Sequence, residues 1–271
     1  MVGCGVTPFQ TDPDATLRLA QRAEELGYGR FGSAEGWAQD AVVLLTRIAG
    51  VTSRIGLATA VLSVWSRTPG AIAMAAAGLQ RASDGRFMLG LGANSPPLVE
   101  GLHGLTWGRP VDRMRTTLVA TRALLEGERL PLAREGVRPL RLGAPPDDPI
   151  PISLAALAPD SIRLAGELAD HWLPFLWARS RLAEGRELLA EGDDVEALLA
   201  ANAGGGPPRL PTAAERLARD VTVMGTYDEA PGVVQSWLEA GADTVDLVLP
   251  LAVPEQQLRE MLEAAAPAAS S

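Results

Sequence analysis

Short apolar runs alternate with helix-like segments along this chain, and that alternation restricts it to a parallel α/β architecture. The first unit is complete in the text. Residues 2–6 are apolar, Asp12 stands where a helix N-cap belongs, and Pro13 occupies the first turn; Ala15, Leu19, Ala23 and Leu26 then form one stripe that Gly27 ends. Residues 30–34 read as a weaker second strand before a helix over 41–49 capped by Asp40. Residues 54–62 read as a strong third strand, followed by a helix over 69–81, and 86–92 as a fourth. A long loop leads to a helix opened by Pro110, with Met114, Leu118 and Leu125 on one face and Gly127 closing it. A Pro-, Gly-, Asp- and Arg-rich excursion over 133–149 precedes a fifth strand at 150–155, a helix opened by Pro159 and Asp160, a sixth apolar run at 171–177 and a helix over 179–190. Thr226 and Glu229 have the spacing of a capping box before a helix ending at Gly241. Residues 244–251 read as a last buried strand and 255–264 as a last helix. Strands this continuously apolar are covered on both faces, which favours a (β/α) barrel over an open doubly wound sheet.

Composition excludes several functions. With 47% apolar and 21% charged residues, 271 residues suffice for one large domain, taken as residues 1–271 with a flexible small-residue tail at 266–271. The 24 basic and 33 acidic residues give a net charge of −9, and no Lys/Arg cluster is interleaved with aromatics, which argues against a nucleic-acid surface. Cys4 is the single cysteine, so an internal disulfide and a cysteine metal cluster are both excluded, no metal site is expected, and core packing is its expected role. The N-terminus has neither a basic n-region nor an apolar h-region, and the richest apolar run, 70–79, falls short of the roughly 20 residues a bilayer requires. A cytoplasmic protein without a membrane segment is expected.

Gly90-Leu-Gly-Ala-Asn-Ser95 looks like a dinucleotide fingerprint but fails its context, because position 95 is Ser and two prolines follow where a helix should open. Glycines there suit a close backbone approach to a flat ring. The run from Arg86 to Arg115, in particular Pro97-Leu-Val-Glu-Gly-Leu-His-Gly104 and Arg109-Pro-Val-Asp-Arg-Met-Arg115, resembles the luciferase-like monooxygenase family and within it the F420-dependent oxidoreductases. The resemblance covers about 11–177 and 207–265. It implies a TIM (β/α)8-type barrel with its chemistry at the C-terminal ends of the strands. Residues 178–220, including Gly204-Gly-Gly-Pro-Pro208, depart from the pattern as a shortened, irregular region with no strand-like run where the family has its seventh strand. Seven strands and an apparently missing βα unit are therefore expected, with the gap covered by 179–190 or by a partner chain in a homodimer, since bare strand edges are a liability.

The resemblance also implies a site. Glu35 and Trp37 follow the second strand where the family often places an acidic residue or His and a Trp beside the reactive ring; Glu35 would hold a substrate hydroxyl or act as acid or base. Ala60 and Val61 would carry a non-prolyl cis peptide backing the ring. Gly92, Ala93 and Asn94 would contact the cofactor, and His103 would donate a proton. Ala155, Ala156, Leu157 and Ala158, before a helix N-terminus, match a phosphate-binding turn that is richer in glycine in the family, with Asp160 at the cap opposing an anion; Phe175 adds apolar wall. The implied reaction is hydride transfer between coenzyme F420 and a small organic substrate. The alternatives are an FMN-dependent monooxygenase and an inactive relative serving as a subunit or ligand-binding protein. Arg113, a cation in a first helical turn, is expected to pair with a carboxylate in the barrel.

Overall fold

The sequence of elements in the computed structural model is β1 (Val2–Val6), α1 (Pro13–Glu25), β2 (Arg30–Ser33), α2 (Ala41–Ala49), β3 (Gly56–Thr59), β4 (Leu62–Ser63), α3 (Pro69–Ala82), β5 (Phe87–Gly92), α4 (Pro96–Gly101), α5 (Pro110–Leu125), β6 (Ile152–Ala155), α6 (Pro159–Leu168), β7 (His171–Leu173), α7 (Ala230–Glu239), β8 (Val245–Leu249) and α8 (Glu255–Ala264). The structure describes residues 1–7, 12–130, 136–175, 177–179, 182, 226–250 and 253–267. Every pairing is parallel, and the strands run in the order β7-β6-β5-β3-β2-β1-β8, with β4 continuing the β3 position against β5. This is a half-barrel with seven strand positions among the described residues. The irregular region expected at 178–220 lies almost wholly outside them, as do most of the helix expected at 179–190 and the end of the tail. No described helix is long and apolar enough to cross a membrane.

Local chemistry explains the elements. Asp12 Oδ1 accepts from the amides of Asp14 and Ala15, both at 3.0 Å, and Asp40 Oδ1 from those of Val42 and Val43 at 2.8 and 3.2 Å; each cap is worth about 1 kcal/mol. Thr68 caps α3 through the Ala71 amide at 3.2 Å. Gly27, Gly127 and Gly241 sit at φ +81°, +78° and +105°, the left-handed conformation that ends a helix at little steric cost in glycine. The alternation of β1 sends Val2, Cys4 and Val6 into the buried core with Leu19, Ala23 and Phe31. Gly3 and Gly5 take the opposite face, where a Cβ on Gly5 would meet the Gly32 carbonyl at 2.5 Å. Burial, and after it the charge of Asp246, pushes the Cys4 thiol far above its ordinary range, so Cys4 is an inert packing group.

Two expectations about local structure are corrected. The third strand is not continuous over 54–62 but breaks after Thr59 and resumes at Leu62. The prolines after Ser95 do open a helix, α4, because Pro at the first two helical positions forfeits only amides that have no intrahelical acceptor. The capping box is half formed: the Thr226 amide donates to Glu229 Oε2 at 2.7 Å, while the Glu229 amide donates to the Thr226 carbonyl, and α7 begins after Glu229.

Asp246 on β8 lies on the Gly3 face, with Oδ2 4.0 Å from Arg30 Nη1. Burial raises its carboxyl above the ordinary range, outweighing the opposing pull of Arg30 and the N-terminal ammonium. A folded-state value above the unfolded one, roughly 3.9, contributes stability that is complete below the unfolded value and lost as pH rises through the folded one. Asp246→Asn is therefore expected to gain on the unsubstituted protein between pH 3.5 and pH 7. Urea unfolding at those two pH values measures it, and an advantage that shrinks with rising pH would contradict the assignment.

Candidate active site

At the C-terminal ends of β4, β5 and β6 the chain lays down a wall of small groups. Ser63 is in register with Gly92 and Leu91 with Leu154. A Cβ on Gly92 would stand 2.6 Å from Val61 Cγ2 and 3.3 Å from Ala155 Cβ, so only glycine lets these surfaces meet. The structure thus brings together three of the positions that the sequence nominated for a flat ligand: Val61, Gly92 and Ala155. The Ala60–Val61 peptide bond is cis, as the resemblance implied. Its neighbours hold it on both sides, the Ala60 amide donating to the Ser33 carbonyl at 2.8 Å and the Glu35 amide to the Val61 carbonyl at 3.1 Å. Beyond Gly92, Asn94 adopts φ +62° and buries Nδ2 with no hydrogen-bond partner among the described residues; Ser153 Oγ on β6 and Thr7 Oγ1 after β1 are likewise without one there. Buried polar atoms are nearly always satisfied, and Asn94 and Thr7 each follow the C-terminal end of a strand, so their unsatisfied atoms stand at the end of the barrel where a ligand can supply partners.

Glu35 is a brace. Its side chain is 10% exposed, and Oε1 accepts from Arg67 Nε at 3.2 Å and Nη2 at 2.7 Å. Oε2 accepts from Ser66 Oγ at 3.2 Å and the Ser63 amide at 3.5 Å. Arg67 Nη2 also meets Asp40 Oδ2 at 2.5 Å, which couples the brace to the cap of α2. Burial alone would lower the Arg67 guanidinium, but hydrogen bonds and charge from Glu35 and Asp40 hold it above its usual value. For Asp40, burial works upward and is overcome by Arg67 and the α2 amides, leaving it below the usual carboxylate range. With both oxygens engaged, Glu35 fixes residues 61–67 beneath the wall.

The remaining nominated residues spread outward. Trp37 is 63% exposed, and His103 is half-buried in the loop after α4. Ala93 packs against the core. Ala156 is buried and its carbonyl accepts Trp172 Nε1 at 2.8 Å, while Leu157 and Phe175 are exposed. Ala158 is the N-cap of α6 and offers no capping side chain, so the first-turn amides lack an intrahelical acceptor. Asp160, expected to oppose an anion there, is ion-paired to Arg163 at the surface.

Residues 2–216 match the model of the luciferase-like monooxygenase family, well over half of the chain. The chain belongs to that family. It is 34% identical over 195 residues to a candidate coenzyme F420-dependent oxidoreductase of Mycobacterium tuberculosis, an alignment covering 66% of this chain and 56% of that protein. The half-barrel superposes on the coenzyme F420-dependent tetrahydromethanopterin reductase of Methanopyrus kandleri with a TM-score of 0.74 at 17% identity, over 97% of this chain and 96% of that one. It superposes on the oxygenating constituent of 3,6-diketocamphane monooxygenase from Pseudomonas putida, in complex with FMN, with a TM-score of 0.69 at 16% identity, over 98% of each. At these identities the two structures fix the fold alone.

In this luciferase-like chain several residues that shape the site escaped the sequence reading. Thr59 Oγ1 donates to the Gly90 carbonyl at 2.9 Å and accepts from the Gly90 amide at 2.8 Å, replacing the ladder where the third strand breaks. Arg67 and the Trp65–Trp107 pair, with ring centroids 5.5 Å apart and planes at 31°, were also unforeseen. Arg113 is a correction. Its Nε donates to the Val64 carbonyl at 2.9 Å and its guanidinium lies 5.4 Å from the centroid of Trp65, and no described carboxylate pairs with it. An indole face and a carbonyl oxygen stand where an acid was expected, and they engage only Nε and the guanidinium plane. Arg115 does find one, Glu167, at 2.7 Å.

Proposed function

We propose that this chain is an oxidoreductase that passes a hydride between coenzyme F420 and a small organic substrate. The observation that carries the reading is the flat wall of Val61, Gly92 and Ala155 with Asn94 Nδ2, which has no partner among the described residues, at its rim. The residues present fit a planar heterocycle: Gly92 and Ala155 would line its face, Asn94 Nδ2 would be a donor to it, and the uncapped start of α6 would suit a phosphate. When bound, the cofactor supplies the hydride chemistry, and the protein supplies binding and orientation. The Glu35–Arg67 pair keeps residues 61–67 in the shape that supports the ring. Relatives named for F420 favour this cofactor. FMN is the second reading, favoured by the likeness to a monooxygenase fold that holds FMN.

Fluorescence titration of the full chain with each cofactor tests the choice. F420 is expected to bind at least about tenfold more tightly than FMN, and Asn94→Ala to weaken it by about tenfold, the value of one net hydrogen bond to a buried donor. Binding of FMN with none of F420 would transfer the assignment to a flavin enzyme. Binding of neither would leave the inactive relative.

A further inference from the structure

Beside the ring wall lies a second surface whose chemistry is unlike it. Val64 follows β4, its amide donating to the Gly92 carbonyl at 3.0 Å, so Trp65 stands one residue from the wall at the barrel mouth. Trp65 carries Arg113 over its ring, 5.4 Å from the centroid, and meets Trp107 with ring centroids 5.5 Å apart. The polar groups gathered here are donors. Arg113 spends Nε on the Val64 carbonyl, and no described carboxylate takes its two terminal nitrogens. The indole N–H of Trp65 is buried with no acceptor among the described residues. Helix α5 begins after Arg109, at φ +51°, without a side-chain cap, so its first amides lack intrahelical acceptors. The nearby acids are committed elsewhere: Asp112 pairs with Arg109 at 2.6 Å and Glu100 accepts the Trp107 amide at 3.1 Å. A cation in the first turn of a helix is unfavourable to the helix dipole unless an anion joins it.

We infer that the Trp65–Trp107–Arg113 cluster is the substrate subsite and that it selects a planar, conjugated carboxylate. The ring of such a molecule packs against the indole pair of Trp65 and Trp107, an aromatic contact worth more than its area alone. Its carboxylate takes the paired terminal N–H groups of Arg113, whose planar fork matches a carboxylate in two parallel hydrogen bonds. Trp107 reaches Trp65 from the loop before α5, in a stretch containing Gly104 at φ +63° and Gly108. This inference rests on the proposal that the adjoining wall holds the redox cofactor, because only then is the bound carboxylate a substrate.

Isothermal calorimetry with 2-naphthoate and its neutral counterpart 2-naphthalenemethanol decides it, using the full chain with and without F420. The anion is expected to bind at least about tenfold more tightly than the alcohol. Arg113→Gln is expected to erase that preference, Arg113→Lys to keep part of it, and F420 affinity to stay unchanged in both, with thermal melts confirming that each variant folds. Equal binding of the two probes to the unsubstituted protein, or a preference surviving in Arg113→Gln, overturns the inference. Should Arg113→Gln fail to fold, the two probes on the unsubstituted protein still decide. An anion preference without any F420 binding would retain the anion platform and remove the cofactor reading, whereas F420 binding without the preference would do the reverse.

Discussion

Glu35→Ala is expected to destabilise the protein by about 2–4 kcal/mol, and to weaken cofactor binding with it. Breaking a buried ion pair by removing one partner typically costs about 3–5 kcal/mol, because the remaining charge is left without compensation. Here Arg67 keeps Asp40, which trims the loss, but the Ser63 amide and Ser66 hydroxyl lose their acceptor as well. The midpoint of urea unfolding should fall with an unchanged slope. Adding Arg67→Met to Glu35→Ala should cost less than the sum of the two single changes, since the second removes the stranded cation. A loss for Glu35→Ala under about 1 kcal/mol, or strict additivity, would mean that the pair is ornamental. Because residues 61–67 hang from this carboxylate, the fall in F420 affinity should track the lost brace and be partly restored by Glu35→Gln, whose single amide oxygen still accepts from Arg67.

Gly90→Ala is expected to cost about 3 kcal/mol or more and to yield mostly insoluble protein. A Cβ there would overlap the carbonyl oxygen of Thr59 and stand 3.1 Å from Ser153 Oγ. The obstacle is backbone, and that backbone is tied to Gly90 through the Thr59 hydroxyl on both its amide and its carbonyl, so β3 cannot step aside without losing two hydrogen bonds. Gly78→Ala makes the matched control. It sits inside α3 with nothing within 4 Å of a new Cβ, and it should gain about 0.4–1 kcal/mol through helix propensity and a less flexible unfolded chain. Chemical denaturation of both variants reads the contrast. A Gly90→Ala protein as stable as its parent would show that the two strands separate more easily than their bonding implies.

What was legible in this sequence had local causes. Asp12, Asp40, Pro69 and Pro110 announce helix starts because capping and proline geometry act within a turn, and the starts of α1, α2, α3 and α5 follow from them. The clustering of Val61, Gly92 and Ala155 was legible only through family resemblance, since no local rule aligns three strand ends. What stayed hidden depended on partners distant in sequence. Thr59 looks like an ordinary strand residue until Gly90 is placed beside it, and Arg67 like a solvated charge until Glu35 and Asp40 close around it. The expectation that Arg113 pairs with an acid failed because a carbonyl and an indole face, which carry no formal charge in the sequence, hold its guanidinium instead.

The pairing of β1 with β8 sets an order on how this chain can be made. Gly3 and Cys4 find their ladder partners in Asp246 and Leu247, and the amino group of Met1 reaches the carbonyl of Asp243, 242 positions later. Helix α1 meets α8 through Arg18 to Glu255 at 2.6 Å and Arg22 to Glu263 at 2.6 Å, and Tyr28 donates to the Leu262 carbonyl at 2.9 Å. On the ribosome, β1 and β2 can pair early, yet one edge of β1 stays bare until the final stretch emerges. At about 5–20 residues per second that wait lasts on the order of ten seconds or longer. The nascent half-barrel thus carries an unprotected edge through most of its synthesis, the interval in which chaperone capture or mispairing with a neighbouring chain competes with folding.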